Sequence, residues 1–142
     1  MIHLVKLCVG AESVDDLEQW QARRCQELLA RGLPASPFHE TRQTPKRADE
    51  LLDGGSIYWV IKGTILVRQQ IIDVVARTDR NGRNYCELVF DPELIPTEPQ
   101  GRKAFQGWRY LKPEDAPADA RGSHAADVPP ELGKALRDAG VW

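Results

Sequence analysis

The chain predicts an α+β domain in which one major helix and short helices pack on a mostly antiparallel sheet. Three observations carry that expectation. An apolar N-terminal run, "HLVKLCVG", is followed at once by a segment of helical period. Residues 56–90 are dense in β-branched and aromatic side chains. Asn81-Gly82 lies between two such runs, where it signals a two-residue hairpin.

The elements follow in order. Residues 2–9 are apolar at nearly every position, which suits a central strand buried on both faces. Ser13 is a helix N-cap, with Asp16 three residues on as a weaker capping-box partner. Val14, Leu17, Ala22, Cys25, Leu28 and Leu29 fall on one helical face, flanked by Trp20. Gly32 and Pro34 end that helix, so it spans 14–31. The next segment reads as loop and closes with a short helix. Thr44 is its N-cap, Pro45 its first residue, and Gly54-Gly55 its stop.

Strands are expected over 56–63, 64–78 and 84–90, the last two antiparallel. Lys62-Gly63-Thr64 either turns the first into the second or bends one long strand. "DPELIPTEPQG" reads as a proline-broken loop, and "AFQGWRYL" (104–111) as the next strand. "ARGSHAAD" reads as a linker before a short helix over 130–139. The whole, 1–142, is expected to be one domain, with a core over 1–120 and a linker and short C-terminal helix over 121–142.

Composition bounds the function. The 142 residues are 42% hydrophobic and 28% charged, as in an ordinary globular protein with one core. No run of eighteen apolar residues is present, so no membrane span is expected. The N-terminal run is short and lacks a cleavage site, which points to a cytoplasmic protein. The three cysteines form no CxxC, and no histidine stands at ligand spacing from another His or Cys. No metal and no cofactor is expected. Walker, GxGxxG, GxSxG and HExxH motifs are absent.

The net charge of −2 says little, but its distribution is uneven. Lys62, Arg68, Arg77, Arg80 and Arg83 face only Asp73 and Asp79 over residues 62–83. Arg102 to Lys112 holds four basic residues and no acid, interleaved with Phe105, Trp108 and Tyr110. On one continuous strand, Phe105, Gly107, Arg109 and Leu111 share a face, and Gln106, Trp108, Tyr110 and Lys112 the other. A glycine inside a strand calls for a bulge or a close approach.

The strings "HLVKLCVG", "PKRADELLDGGSIYWVIKG", "DPELIPTEPQ" and "AFQGWRYLKPEDAP" together resemble a bacterial family catalogued as domain of unknown function 1489. The resemblance covers about residues 1 to 120 and brings no activity with it. In element order, and in "YWVIKG" and "FQGWRYL", the chain also resembles the PUA-like superfamily, with its PUA, ASCH and EVE members. That second resemblance implies a mostly antiparallel pseudo-barrel with a ligand cleft between barrel and helices. It implies RNA or a modified nucleoside as partner.

Three functions follow. The first is single-stranded RNA or modified-nucleoside binding through a basic aromatic cleft. Trp59 and Trp108 would stack on bases beside Lys62, Arg109 and Lys112. Arg42, Lys46, Arg47 and Arg68 would reach phosphates, and Gln69 or Gln106 a base edge. The second is a small nucleoside amidohydrolase, which the ASCH likeness implies, using Lys62, Thr64 and Glu87. The third is a protein-interaction scaffold. Core packing is the competing explanation for both tryptophans.

Overall fold

A computed structural model describes residues 1–120. The linker, the short helix and Trp142 lie outside the described residues. The architecture is α+β: a mostly antiparallel sheet of seven strands with two α-helices.

β4 (Thr64–Thr78) is the spine, with fifteen residues. Along its first half one edge pairs with β3 (Ser56–Ile61), and the other with β6 (Ile95–Gly101). Its second half pairs with β5 (Asn84–Phe90). β5 and β6 therefore lie end to end along one edge of β4. Beyond β3 come β1 (His3–Leu7) and β7 (Trp108–Leu111), and beyond β5 comes β2 (Phe38–Thr41). All pairs are antiparallel except β1 with β3. The crossover between these two holds α1 (Val14–Ala30), β2 and α2 (Ala48–Leu52). Among the described residues β6 and β7 do not pair with each other, and the sheet does not close into a barrel.

Two apolar layers hold the sheet. Under α1 and α2, Leu17 and Leu51 pack with Leu4, Ile57, Trp59 and Phe90. On the opposite face Val5, Tyr58, Val60, Ile65 and Leu111 pack with Phe105. A bulge in β4 connects the layers. Trp59 pairs with Val67 and Val60 with Ile65, so Leu66 is the extra residue. Ile65 and Val67 thus face opposite layers although they are two apart in sequence.

The β3–β4 junction is a turn. Lys62 and Gly63 both take positive φ, 50° and 80°, as a two-residue hairpin of this hand requires. The hairpin at Asn81-Gly82 has a longer loop than the dipeptide suggests. Asp79 and Arg83 close it through their backbones, and the Asp79 carboxylate accepts from the amides of Asn81 and Arg83.

Several elements depart from expectation. Phe38–Thr41 is a strand and not loop, formed by pairing with β5 along an edge the sequence pattern does not mark. Ile95–Gly101 is also a strand, because its two prolines stand where the ladder with β4 tolerates them. α2 starts at Ala48 behind Arg47, not at Pro45 behind Thr44, and has no side-chain cap. β7 starts at Trp108, and Gly107 (φ +70°) makes the bend before it. α1 has the expected N-cap, Ser13 accepting from the Asp16 amide. Of its expected apolar face only Leu17 is fully buried, and Ala22 and Leu29 are exposed.

Gly55 marks the tightest approach in the fold. A Cβ there would stand 2.2 Å from the Ile2 carbonyl oxygen and 2.5 Å from that of Leu51. The same residue accepts from the Ile71 amide and donates to Leu51, locking α2 to β1 and β4. Gly55→Ala should therefore lower the unfolding free energy by about 2–3 kcal/mol in urea titration, since backbone must move to admit the methyl.

Candidate functional site

α1 lies over one end of the sheet and leaves a cleft of about 190 Å³ between itself, β1 and β2. Trp20 and Phe38 stand at its rim, and Trp59 and Phe90 at its floor. Polar groups come from Lys6, Cys8, Gln21, Arg24 and His39.

The floor is fixed by a buried amide. Gln69, on β4, is fully buried, yet all four of its hydrogen-bonding positions are filled. Its Oε1 accepts from Trp59 Nε1 at 2.9 Å and from Gln21 Nε2 at 2.8 Å. Its Nε2 donates to Gln21 Oε1 at 2.8 Å and to the Asp91 carbonyl at 3.1 Å. The Gln21–Gln69 pair thereby ties α1 to the sheet. Trp59 is held edge-on between His39 and Phe90, each centroid 5.8 Å away.

Lys6 is the one charged residue of β1. Its backbone pairs in register with Trp59 on β3 and with Trp108 on β7. Burial lowers its pKa. Burial also raises the Cys8 thiol to about 11, so it stays protonated and is no thiolate nucleophile. His39 is pushed down to about 4, first by burial and then by the charges of Lys6 and Arg24. Its imidazole is neutral near pH 7 and offers one donor and one acceptor. The Arg24 guanidinium lies 4.1 Å over the Phe38 ring. The result is a mostly apolar slot with a neutral imidazole inside and two cations at its edge.

The residues singled out from sequence are distributed around this slot. Trp59 is in it, but buried and held at its N–H. Trp108 is half-buried and donates from Nε1 to the Gln43 carbonyl at 3.0 Å, beside Tyr110. Tyr110 Oη accepts from the Arg47 amide at 3.1 Å. These two aromatics seat the basic loop of Arg42, Lys46 and Arg47 on the cleft's side of the sheet. Lys46 is exposed there, whereas Arg47 is paired with Glu50.

Arg109 follows Trp108 on the same strand and so projects from the opposite face, where it covers Phe105. Arg68 bonds Asp119 at 2.7 and 2.9 Å and Ser56 Oγ at 2.8 Å, also away from the cleft. Gln106 is exposed in the loop before β7. Gln69 is spent on the fold. Lys62, Thr64 and Glu87 are not brought together. Lys62 is exposed on a turn, and Thr64 opens β4. Glu87 pairs with Arg77 at 3.0 Å and stands opposite Val75, eleven residues further along that strand.

Lys6, Arg24 and His39 were not among the ligand-binding residues expected from sequence. The signal for Lys6 was a lone charge in an apolar strand. His39 and Arg24 had none, since their meeting depends on β2.

Fold and cleft together define an α+β domain whose major helix roofs an aromatic slot on an open sheet. The chain belongs to the family described as protein of unknown function, DUF1489, whose model matches residues 4–142. No curated protein and no solved structure matches it.

Two outcomes test the site's construction. Gln69→Leu strands the Trp59 N–H and the Gln21 amide, and should cost about 2–3 kcal/mol in urea titration. In the folded chain the His39 ring should titrate near pH 4, against 6.5 unperturbed. The unfolded chain then binds the extra proton between those values. Stability should fall as pH is lowered from 6.5 toward 4, and His39→Phe should remove that part of the slope.

Proposed function

We propose that the protein binds single-stranded RNA by taking one base, standard or modified, into the cleft under α1. The observation that carries this reading is the slot itself: aromatic walls, a neutral imidazole, and Lys6 and Arg24 at the edge. A planar uncharged ring fits such walls. Its carbonyl edge finds cationic donors, and its ring N–H or nitrogen finds His39. The PUA-like resemblance supports the same location, since it implies a ligand between sheet and helices. The adjoining Arg42–Arg47 loop supplies Arg42 and Lys46 for the neighbouring phosphates.

The protonated thiol and the separation of Lys62, Thr64 and Glu87 support binding over hydrolysis. The test is fluorescence anisotropy of a labelled single-stranded RNA, with nucleoside titrations followed by tryptophan emission. Lys6→Met and Phe38→Ala should each weaken binding roughly tenfold or more, given ~1–3 kcal/mol per stacked base, while circular dichroism stays unchanged. Absence of RNA and nucleoside binding at micromolar protein overturns the reading, as does unchanged affinity in both variants.

A further inference from the structure

On the face of the sheet opposite the cleft, the β6–β7 loop curls over β1 and β7 and encloses an open hollow of about 700 Å³. Arg102, Lys103 and Arg109 line it, with Asp115 as the one acid among the described residues. None of these three cations forms an ion pair among the described residues. Arg47, Arg68 and Arg77 each do. Among the described residues the hollow thus gathers three cations around one carboxylate with which none of them is ion-paired.

Their placement is built and not incidental. The Arg102 amide donates to the Gly63 carbonyl at 2.8 Å, which anchors the loop to the β3–β4 turn. Arg102 Nε donates to Gln100 Oε1 at 3.2 Å, and Gln100 Nε2 donates to the Asp115 carbonyl at 3.1 Å. This contact orients the Arg102 guanidinium, whose terminal nitrogens make no hydrogen bond among the described residues. Arg109 lies 5.6 Å over the half-buried ring of Phe105. Flat aromatic surface beside unpaired cations suits a nucleic-acid strand better than an acidic peptide, which needs charge alone.

β7 connects this hollow to the cleft. It is an edge strand of the sheet, four residues long, with Trp108 on the cleft's face and Arg109 on the hollow's. We infer that the hollow binds the phosphate backbone of single-stranded RNA, which turns around the β7 edge from the base held under α1. The inference rests on the RNA-binding reading of the cleft for its ligand.

The experiment compares an oligouridylate with uridine monophosphate, using wild type, Lys6→Met and the triple variant Arg102→Gln/Lys103→Gln/Arg109→Gln. The triple variant should bind the oligomer roughly tenfold to a hundredfold more weakly at low salt. Its slope of log affinity against log salt should shrink by about 2, for three lost phosphate contacts. Its binding of the mononucleotide and its melting temperature should not change. If the oligomer's affinity and slope are unaltered in the triple variant while Lys6→Met weakens both ligands, the hollow is overturned and the cleft stands. If only the triple variant weakens the oligomer and no mononucleotide binds, the hollow stands and the cleft reading falls. Wild type that binds neither ligand overturns both. Polyglutamate competing as well as the oligomer at matched charge overturns the assignment to RNA.

Discussion

The seat of α1 depends on one buried amide. The helix brings a single fully buried side chain, Leu17, to the sheet, far less apolar area than seventeen residues would otherwise need for a firm dock. The Gln21–Gln69 pair supplies the specificity that this contact lacks. Because Gln69 also holds the Trp59 indole and the Asp91 carbonyl, helix, floor and the β5–β6 connection are fixed by one group. A buried amide is destabilising when partly satisfied and rigidifying when complete, and here no buried side-chain N or O lacks a partner among the described residues. The cleft is the space left where such a network replaces close packing.

Electrostatics divides the molecule by face. Under α1, burial keeps the Cys8 thiol protonated against the pull of Lys6, while burial together with the charges of Lys6 and Arg24 keeps His39 neutral. On the other face Arg68 joins Asp119 to Ser56, and the Ser56 amide donates to Nδ1 of the buried His3. That chain fastens residues 118–120 beside β6, where Glu98 and Ala120 donate to Ala118 and Pro96. Arg102 and Arg109, around the β6–β7 loop, form no such ion pair among the described residues.

The fold class, the first helix and the long β4 were legible because local pattern and tertiary packing agree there. β2 was not legible, since His39 and Glu40 carry no strand signal and the segment is a strand only through β5. β6 was masked by Pro96 and Pro99, which argue against a strand unless the partner's register is known. The opening of β7 was misplaced because aromatic and cationic residues run through the bend at Gly107 without a change in composition. The same limit applied to the site. Trp59 and Lys62 are three residues apart, yet one is floor and the other turn. Lys6 and His39 are thirty-three apart and share a slot.

The parallel pairing of β1 with β3 has a consequence for assembly. β3, β4 and β5 are joined by tight turns and close short loops. β1 meets β3 only across some fifty intervening residues, which include α1 and β2. Loop-closure entropy therefore favours the hairpins as the template on which the N-terminal strand docks late. Both walls of the cleft, β1 and α1, belong to that late segment. The slot comes into being only with the final docking, so a partly assembled chain presents the β4 hairpins but not the cleft.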